Sequence, residues 1–190
     1  MANAVELQGI SKYFASTEVQ ANDKVDFSVK EGEIHALVGE NGAGKSTLMN
    51  ILYGLIKPDS GKIMVHDKPV EINRPDDAIH LGIGMVHQHF KLVPSFTVAE
   101  NIMLGMEPNK FGWLKLKEEN EKVINLAKQF GLPVDPKSKV GELPVGMQQR
   151  VEILKTLERN TKILILDEPT AVLTPQEVKE LMNVVRQLSK

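Results

Sequence analysis

The stretch Gly39-Glu40-Asn41-Gly42-Ala43-Gly44-Lys45-Ser46-Thr47 constrains the fold more than any other part of the chain. It fits the pattern G-x-x-x-x-G-K-[ST], with Gly39, Gly44, Lys45 and Ser46 at the fixed positions. It follows an apolar run, Ile34 to Val38, and leads into Thr47 to Tyr53, which can form helix. Strand, glycine loop and helix together are the context that gives the pattern meaning. Glycines let backbone N–H groups turn inward on a polyphosphate, and the opening helix adds its positive end. Lys45 is expected to reach the β- and γ-phosphates, and the Ser46 hydroxyl to hold Mg²⁺. With Gly at about 7% of residues, roughly 0.01 chance matches are expected per chain of this size. A random Gly-rich turn is therefore a poor explanation.

The 190 residues suit one domain, and 42% hydrophobic content supplies a core. A formal charge of −2 speaks against a basic nucleic-acid surface, so no nucleic-acid partner is expected. The absence of cysteine excludes disulfides and thiolate metal sites. The segment Met1 to Leu7 lacks the cationic start and long apolar stretch of a signal peptide. No run approaches the length of a membrane span, so any membrane link is expected to come through a partner.

Val5 to Ile10 reads as a first strand, and alternating Val25, Phe27 and Val29 as a second with one face buried. Ile34 to Val38 is expected to be the strand ahead of the glycine loop. Pro58-Asp59-Ser60-Gly61 is a turn, followed by strands at Lys62 to Val65 and Ile83 to Val86. From Phe90 to Gly141 the pattern turns helical. Thr97-x-x-Glu100 is a capping box opening a helix through Leu104. Leu116, Val123, Ile124, Ala127 and Phe130 recur at helical spacing, with Gly131 as the stop. Trp113, with Phe111 and Leu114, reads as a packing anchor for its loop. A helix starting near Gly146 carries Val151, Leu154 and Leu157. Ile163 to Leu166 reads as a strand buried on both faces. Thr174-Pro175-x-Glu177 caps a last helix with the stripe Val178, Leu181, Met182, Val185 and Leu188. Such a helix ordinarily returns the chain to another parallel strand, so a truncated domain is expected.

Asp167-Glu168 directly follows the apolar strand. Asp167 can hold Mg²⁺ through water, and Glu168 can orient or deprotonate an attacking water. Alone, the pair could simply open a surface turn before Pro169; beside a phosphate loop the functional reading is the better one. His87-Gln88-His89 offers two imidazoles on alternate residues, which is too few for a metal site.

With these residues in view the chain resembles an ATP-binding-cassette (ABC) transporter ATPase. The carrying residues are Gly39 to Thr47, Gln88 as the Q-loop glutamine, and the signature Leu143-Pro144-Val145-Gly146-Met147-Gln148-Gln149-Arg150. Ile163 to Glu168 stands as the second Walker motif, and Pro169 to Thr174 takes the D-loop position. The motifs run in family order over nearly the whole chain, and Val-Gly-Met-Gln-Gln and Thr-Ala-Val-Leu-Thr-Pro are most similar to the bacterial sugar and nucleoside uptake group. The resemblance implies an α/β fold: a P-loop NTPase core with a mixed sheet, an antiparallel β subdomain at the N-terminus and an inserted helical subdomain. It implies a core of residues 1–89 and 151–190 around a helical and signature subdomain of about 90–150. ATP and Mg²⁺ are the implied ligands. Glu168, Lys45 and Gln88 take the catalytic roles, and Ser46, Gln88 and Asp167 face the metal. Phe14, or failing that Tyr13, stacks on adenine. Leu143 to Gln148 completes the ATP site of a second cassette arranged head to tail, with Gly146 at a helix start facing the γ-phosphate. The further partners implied are that second cassette in the same polypeptide, permease subunits, and indirectly a substrate-binding protein. The place implied is the cytoplasmic face of the membrane. Soluble ABC ATPases acting on DNA or ribosomes are a rival reading, but they would carry long coiled-coil insertions or basic linkers, and neither is present. An ATP-holding module with little hydrolysis is the other rival.

Two departures from the family pattern carry expectations. Pro144 stands where the signature usually has Ser, and it offers neither hydroxyl nor N–H to a γ-phosphate. That is a loss of roughly 1.5–3 kcal/mol and implies a weakened ATP site in the partner half. Met147 replaces the common Gln, which is ordinary in the sugar and nucleoside group. The family's switch histidine falls beyond residue 190, since His35, His66, His80, His87 and His89 all precede the second Walker motif. The 190 residues alone are therefore expected to hydrolyse ATP slowly.

Overall fold

The computed structural model describes residues 2–88, 90–106, 116–171 and 173–189. The expected packing of Trp113, Phe111 and Leu114 and the placement of His89 lie outside the described residues. The chain divides into two compact units. The first comprises Met1–Gly84, Lys162–Ile165 and Ser189–Lys190, and the second Met85–Thr161 and Leu166–Leu188.

In the first unit, β1 (Asn3–Phe14) and β2 (Val19–Lys30) form a long antiparallel hairpin. β3 (Ser60–Val65) and β4 (Lys68–Val70) extend it into an antiparallel sheet of order β2-β1-β3-β4. Val5, Leu7 and Ile10 of β1 are all buried, although strict alternation would send Ile10 outward. The register slips between Leu7 and Ile10, where Gly9 takes a φ of 60° and donates its N–H to Asp26 Oδ1 at 2.7 Å. This bulge re-phases the strand, so the apolar pattern stays on the core face. Val25, Phe27 and Val29 alternate with exposed neighbours as expected, but that face is only half-buried rather than buried. The helix α1 (Lys45–Leu52) buries Leu48, Ile51 and Leu52. The helix α2 (Pro75–His80), unmarked in the sequence reading, starts with Pro75 and is closed by Asp77, whose carboxylate accepts from the Asn73 and Arg74 N–H groups.

Ile34 to Val38 departs from expectation. No strand forms there, and Val38 is 89% exposed. The segment has a strand's composition, but among the described residues no neighbouring strand pairs with it, and strand geometry persists through its ladder. Its start is held by local contacts instead. His35 Nδ1 lies 2.9 Å from Glu33 Oε1, and the His35 ring meets Phe27 edge-on at 5.1 Å.

The strands β5 (Ile83–Val86) and β6 (Ile163–Leu166) form a two-stranded sheet. The Ile163 N–H donates to Gly82 O and the Asp167 N–H to Val86 O. Both strands advance four residues between these bonds, so they run parallel. β5 is buried throughout, whereas only Ile165 of β6 is buried. The expectation of burial on both faces is thus corrected: among the described residues β6 has a single ladder neighbour.

The second unit is helical. α3 (Val98–Met103) begins at the Thr97–Glu100 capping box, which is formed in both directions at 2.7 and 3.2 Å. α4 (Leu116–Gln129) buries Val123 and Ala127 and stops at Gly131, where φ is 65°. α5 (Val145–Leu157) buries Val151, Ile153, Leu154 and Leu157. α6 (Pro175–Leu188) starts at Thr174, whose N–H and hydroxyl both donate to Glu177 Oε2 at 2.8 Å. Its buried positions are Leu181 and Val184; the expected stripe contained Leu181 and placed Val185 where Val184 is the more enclosed. Asn101, fully buried, accepts from the Val93 N–H at 2.7 Å and donates to the Val93 and Thr97 carbonyls at 3.0 Å.

Replacing Asn101 by Leu strands the Val93 N–H and carbonyl, while the Thr97 carbonyl keeps the residue-101 N–H. A loss of about 2–3 kcal/mol is expected in urea unfolding. The Glu100 carboxyl is held below the ordinary glutamate range by the Thr97 N–H and hydroxyl. A depressed carboxylate stabilises above its unfolded pKa and loses that contribution as pH falls through the folded value. Thermal melts of E100Q between neutral and acid pH are expected to show a flatter acid limb than the parent.

Candidate functional site

The glycine loop in the first unit is built by close approach. Gly44 has a φ of 85°, and a Cβ on it would collide with the Ala21 carbonyl oxygen of β2. Asn22 Nδ2 donates to Gly44 O at 3.2 Å, which fixes the loop's last residue against the hairpin. Only glycine meets both demands. α1 then starts with no side-chain cap at Gly44 and no acidic residue in its first turn, so no carboxylate of that turn offsets its positive end. Within the loop, the Ala43 N–H donates to Glu40 O at 3.2 Å. The Lys45 ammonium folds back to donate to Gly39 O at 2.8 Å and Glu40 O at 2.7 Å. Gly42 has a φ of 83° and open space at its Cβ position, and Asn41 beside it is exposed. Ser46 and Thr47 lie in the first turn of α1. The arrangement offers backbone donors, a positive helix end and an ammonium, with no acidic residue in the first turn of the helix. It fits a polyphosphate.

Phe14 ends β1, paired with Val19 across the hairpin. It is half-buried, and Lys12 Nζ lies 5.8 Å from its ring centre. The same hairpin end supplies Ala21 and Asn22 to the glycine loop. Tyr13 is the more exposed of the two aromatics, at 44%.

In the second unit, Asp167 and Glu168 follow β6, and Gln88 follows β5. Parallel pairing brings them together. Gln88 Nε2 donates to Glu168 Oε2 at 2.8 Å. Glu168 has a φ of 47°, a left-handed conformation that costs a non-glycine residue of order 1–3 kcal/mol and is concentrated at functional sites. Their oxygen donors suit a hard divalent cation. The neighbouring His87 imidazole is pushed below its ordinary pKa by burial first and then by the Lys91 charge, against an opposing pull from Asp167.

The signature residues Leu143 to Gln148 surround the start of α5. Pro144 is the N-cap and makes no side-chain bond there, while its carbonyl accepts from the Met147 and Gln148 N–H groups. Val145 is 45% exposed, and Gln148 Nε2 donates back to Leu143 O at 2.9 Å. Gly146 packs against the Glu177 carboxylate, which would have to shift to admit a Cβ there. A cleft of about 310 Å³ opens there, lined in part by Gly146, Gln149, Arg150, Glu177 and Glu180. Arg150 pairs with Glu180.

Three contributors carried no functional role in the motifs, although Gln149 stands inside the signature stretch. Gln149 is buried and donates to Pro169 O at 2.7 Å, beside Glu168. Glu152 is buried in mid-helix, and its carboxyl is pushed up by that burial. Glu177 was read only as a helix cap. A glutamate in the middle of an apolar helix face was the one available clue.

A family model described as ABC transporter matches residues 22–171. The guanosine import ATP-binding protein NupO of Bacillus subtilis is 55% identical over 190 residues, which is 100% of this chain and 37% of that protein. The nucleoside import ATP-binding protein NupA of Lactococcus lactis is 54% identical over 190 residues, 100% of this chain and 38% of that protein. The chain thus spans less than two-fifths of these curated relatives. Among solved structures, the ADP conformation of MJ1267, an ATP-binding cassette of an ABC transporter, matches with a TM-score of 0.86 and 31% identity. That match covers 100% of this chain and 78% of the other. With its glycine loop, its carboxylate pair after β6 and this breadth of similarity, the chain belongs to the ABC transporter ATP-binding family.

Proposed function

We propose that this chain is the N-terminal ATP-binding and hydrolysing cassette of an importer for nucleosides or simple sugars. The observation that carries the reading is the glycine loop, with Lys45 poised on its own carbonyls above an uncapped helix end. Similarity to nucleoside, guanosine and ribose import ATP-binding proteins supports the cargo class.

On this reading the Lys45 ammonium leaves Gly39 O and Glu40 O for the β- and γ-phosphates, while the backbone of Gly39 to Gly44 and the start of α1 cradle the rest. Phe14 stacks on adenine. Ser46, Asp167 and Gln88 would hold Mg²⁺, which would supply charge neutralisation at the phosphates. Glu168 orients and deprotonates water, with Gln88 controlling where its carboxylate points. The signature Leu143 to Gln148 serves the nucleotide of a second cassette, which the longer relatives suggest lies in the same polypeptide. Residues 1–89 and 151–190 act as the nucleotide-binding core, and about 90–150 as the helical segment facing the permease. No helix among the described residues is long and apolar enough to cross a membrane. A peripheral position on the cytoplasmic face belongs to the importer reading, in which the cassette docks on permease subunits. A substrate-binding protein would meet this chain only through the permease.

Three outcomes test the reading. Lys45→Ala removes two charge-assisted bonds, so ATP affinity by calorimetry is expected to fall about ten- to a hundred-fold. Glu168→Gln is expected to lower phosphate release by about a hundred-fold or more while leaving ATP affinity within a few-fold, as loss of a general base should. Wild-type release from that variant would exclude the hydrolytic role. Pro144→Ser restores a hydroxyl at the start of α5, and in the assembled transporter the affinity or turnover of the weaker site is expected to rise by about ten-fold or more. An unchanged rate would make the proline incidental.

A further inference from the structure

Residues 90 to 93, just past Gln88, carry no helix or strand, so their position depends on side chains from elsewhere. α5 supplies two of them. Lys155 Nζ donates to Lys91 O at 2.7 Å. One turn earlier on the same helix face, the Glu152 carboxylate faces the Lys91 N–H and the Lys91 and Lys155 charges. The Lys91 peptide is therefore hydrogen-bonded at its carbonyl by Lys155, with the Glu152 carboxylate, its i,i+3 neighbour, beside its N–H.

A turn further back, Gln149 donates to Pro169 O, the residue after Glu168. The Gln88–Glu168 hydrogen bond, 2.8 Å long, sits between these two anchor points. Glu152 is 3% exposed and its Oε2 has no hydrogen-bond partner. An ionisable group kept so dry, with a raised pKa and an unsatisfied oxygen, costs stability at an otherwise apolar position. Packing alone would be better served by leucine or methionine there. The geometry of the grip gives the carboxylate a use.

We propose that Gln149, Glu152 and Lys155 are positioning residues, through which α5 holds the peptides beside Gln88 and Glu168 and so sets the aim of the Glu168 carboxylate. The inference rests on the hydrolytic role proposed for Glu168. It adds a route by which α5, whose first turn carries Gly146, bears on the hydrolytic carboxylate within one cassette. A shift of α5 along its axis moves Lys91 and Pro169 together, whereas a rotation moves them apart and opens the Gln88–Glu168 bond.

The test is Lys155→Met in the intact protein, with Lys155→Arg as the conservative rescue and Glu168→Gln alongside. Methionine fills the stem's volume without a donor. Loss of one charge-assisted bond at an aiming residue is expected to lower kcat about ten-fold with KM for ATP within about two-fold. The melting midpoint is expected to stay within a few degrees, and hydrogen exchange over residues 88–93 to quicken. Arginine is expected to restore kcat to within about three-fold, because it keeps a donor at that reach. Should Lys155→Met melt below the assay temperature, Gln149→Met at the Pro169 anchor gives the second arm, with the same kcat-selective loss expected. Wild-type kcat in the methionine variant, a loss that arginine leaves unrepaired, or a loss that tracks the melting midpoint would each overturn the inference. If turnover survives Glu168→Gln, the hydrolytic reading falls and the inference with it. If Glu168→Gln abolishes turnover while Lys155→Met is silent, the grip alone is wrong.

Discussion

The contact between Gly44 and the Ala21 carbonyl of β2 is the constraint from which the nucleotide end of this chain follows. It leaves no space for a Cβ, requires a φ that only glycine takes cheaply, and delivers the chain into α1 at a fixed point on the hairpin. The uncapped N–H groups of α1, the reach of Lys45 and the placing of Ser46 all depend on that entry. The hairpin that supplies Ala21 also ends in Phe14, so one β-ribbon sets both the loop and the aromatic next to it. The Gly9 bulge matters for the same reason: without its re-phasing, Ile10 would leave the core and the ribbon's far end would be less firmly held.

The second unit has its own organiser. α5 starts at a proline with no capping side chain, and buries one face while lending polar side chains to its neighbours on another. Gln149, Lys155 and Arg150 reach Pro169, Lys91 and Glu180 respectively. Beyond the signature residues at its start, only apolar residues were expected to count on this helix. Its polar residues are what link it to the segments that carry Gln88 and Glu168.

Local chemistry made much of the fold legible in advance. The Thr97–Glu100 and Thr174–Glu177 boxes, the Gly131 stop and strand β5 all appeared where side-chain chemistry placed them, because caps and short apolar strands are decided within a few residues. The misses share one cause. Ile34 to Val38 and β6 were read from apolarity alone, but burial and strand geometry come from neighbours, which the segment's own letters do not specify. In the site, the glycine loop and carboxylate pair were legible because their spacing is itself the mechanism. Glu152 and Lys155 were not, since a hold on a backbone peptide leaves no motif: any residue but proline could stand at 91 and present the same N–H and C=O.

The segment from Ile34 to Val38 has a consequence for how the polypeptide behaves while it is being made. A ribbon of five mostly β-branched and aliphatic residues, lying open with no paired strand among the described residues, is a template that any passing extended segment can join. During synthesis, whatever covers it first decides between a productive fold and clumping. The charges that flank it, Glu31 and Glu33 on one side and Glu40 on the other, repel a second copy at the ribbon's two ends. They act as gatekeepers for the time the ribbon stands uncovered.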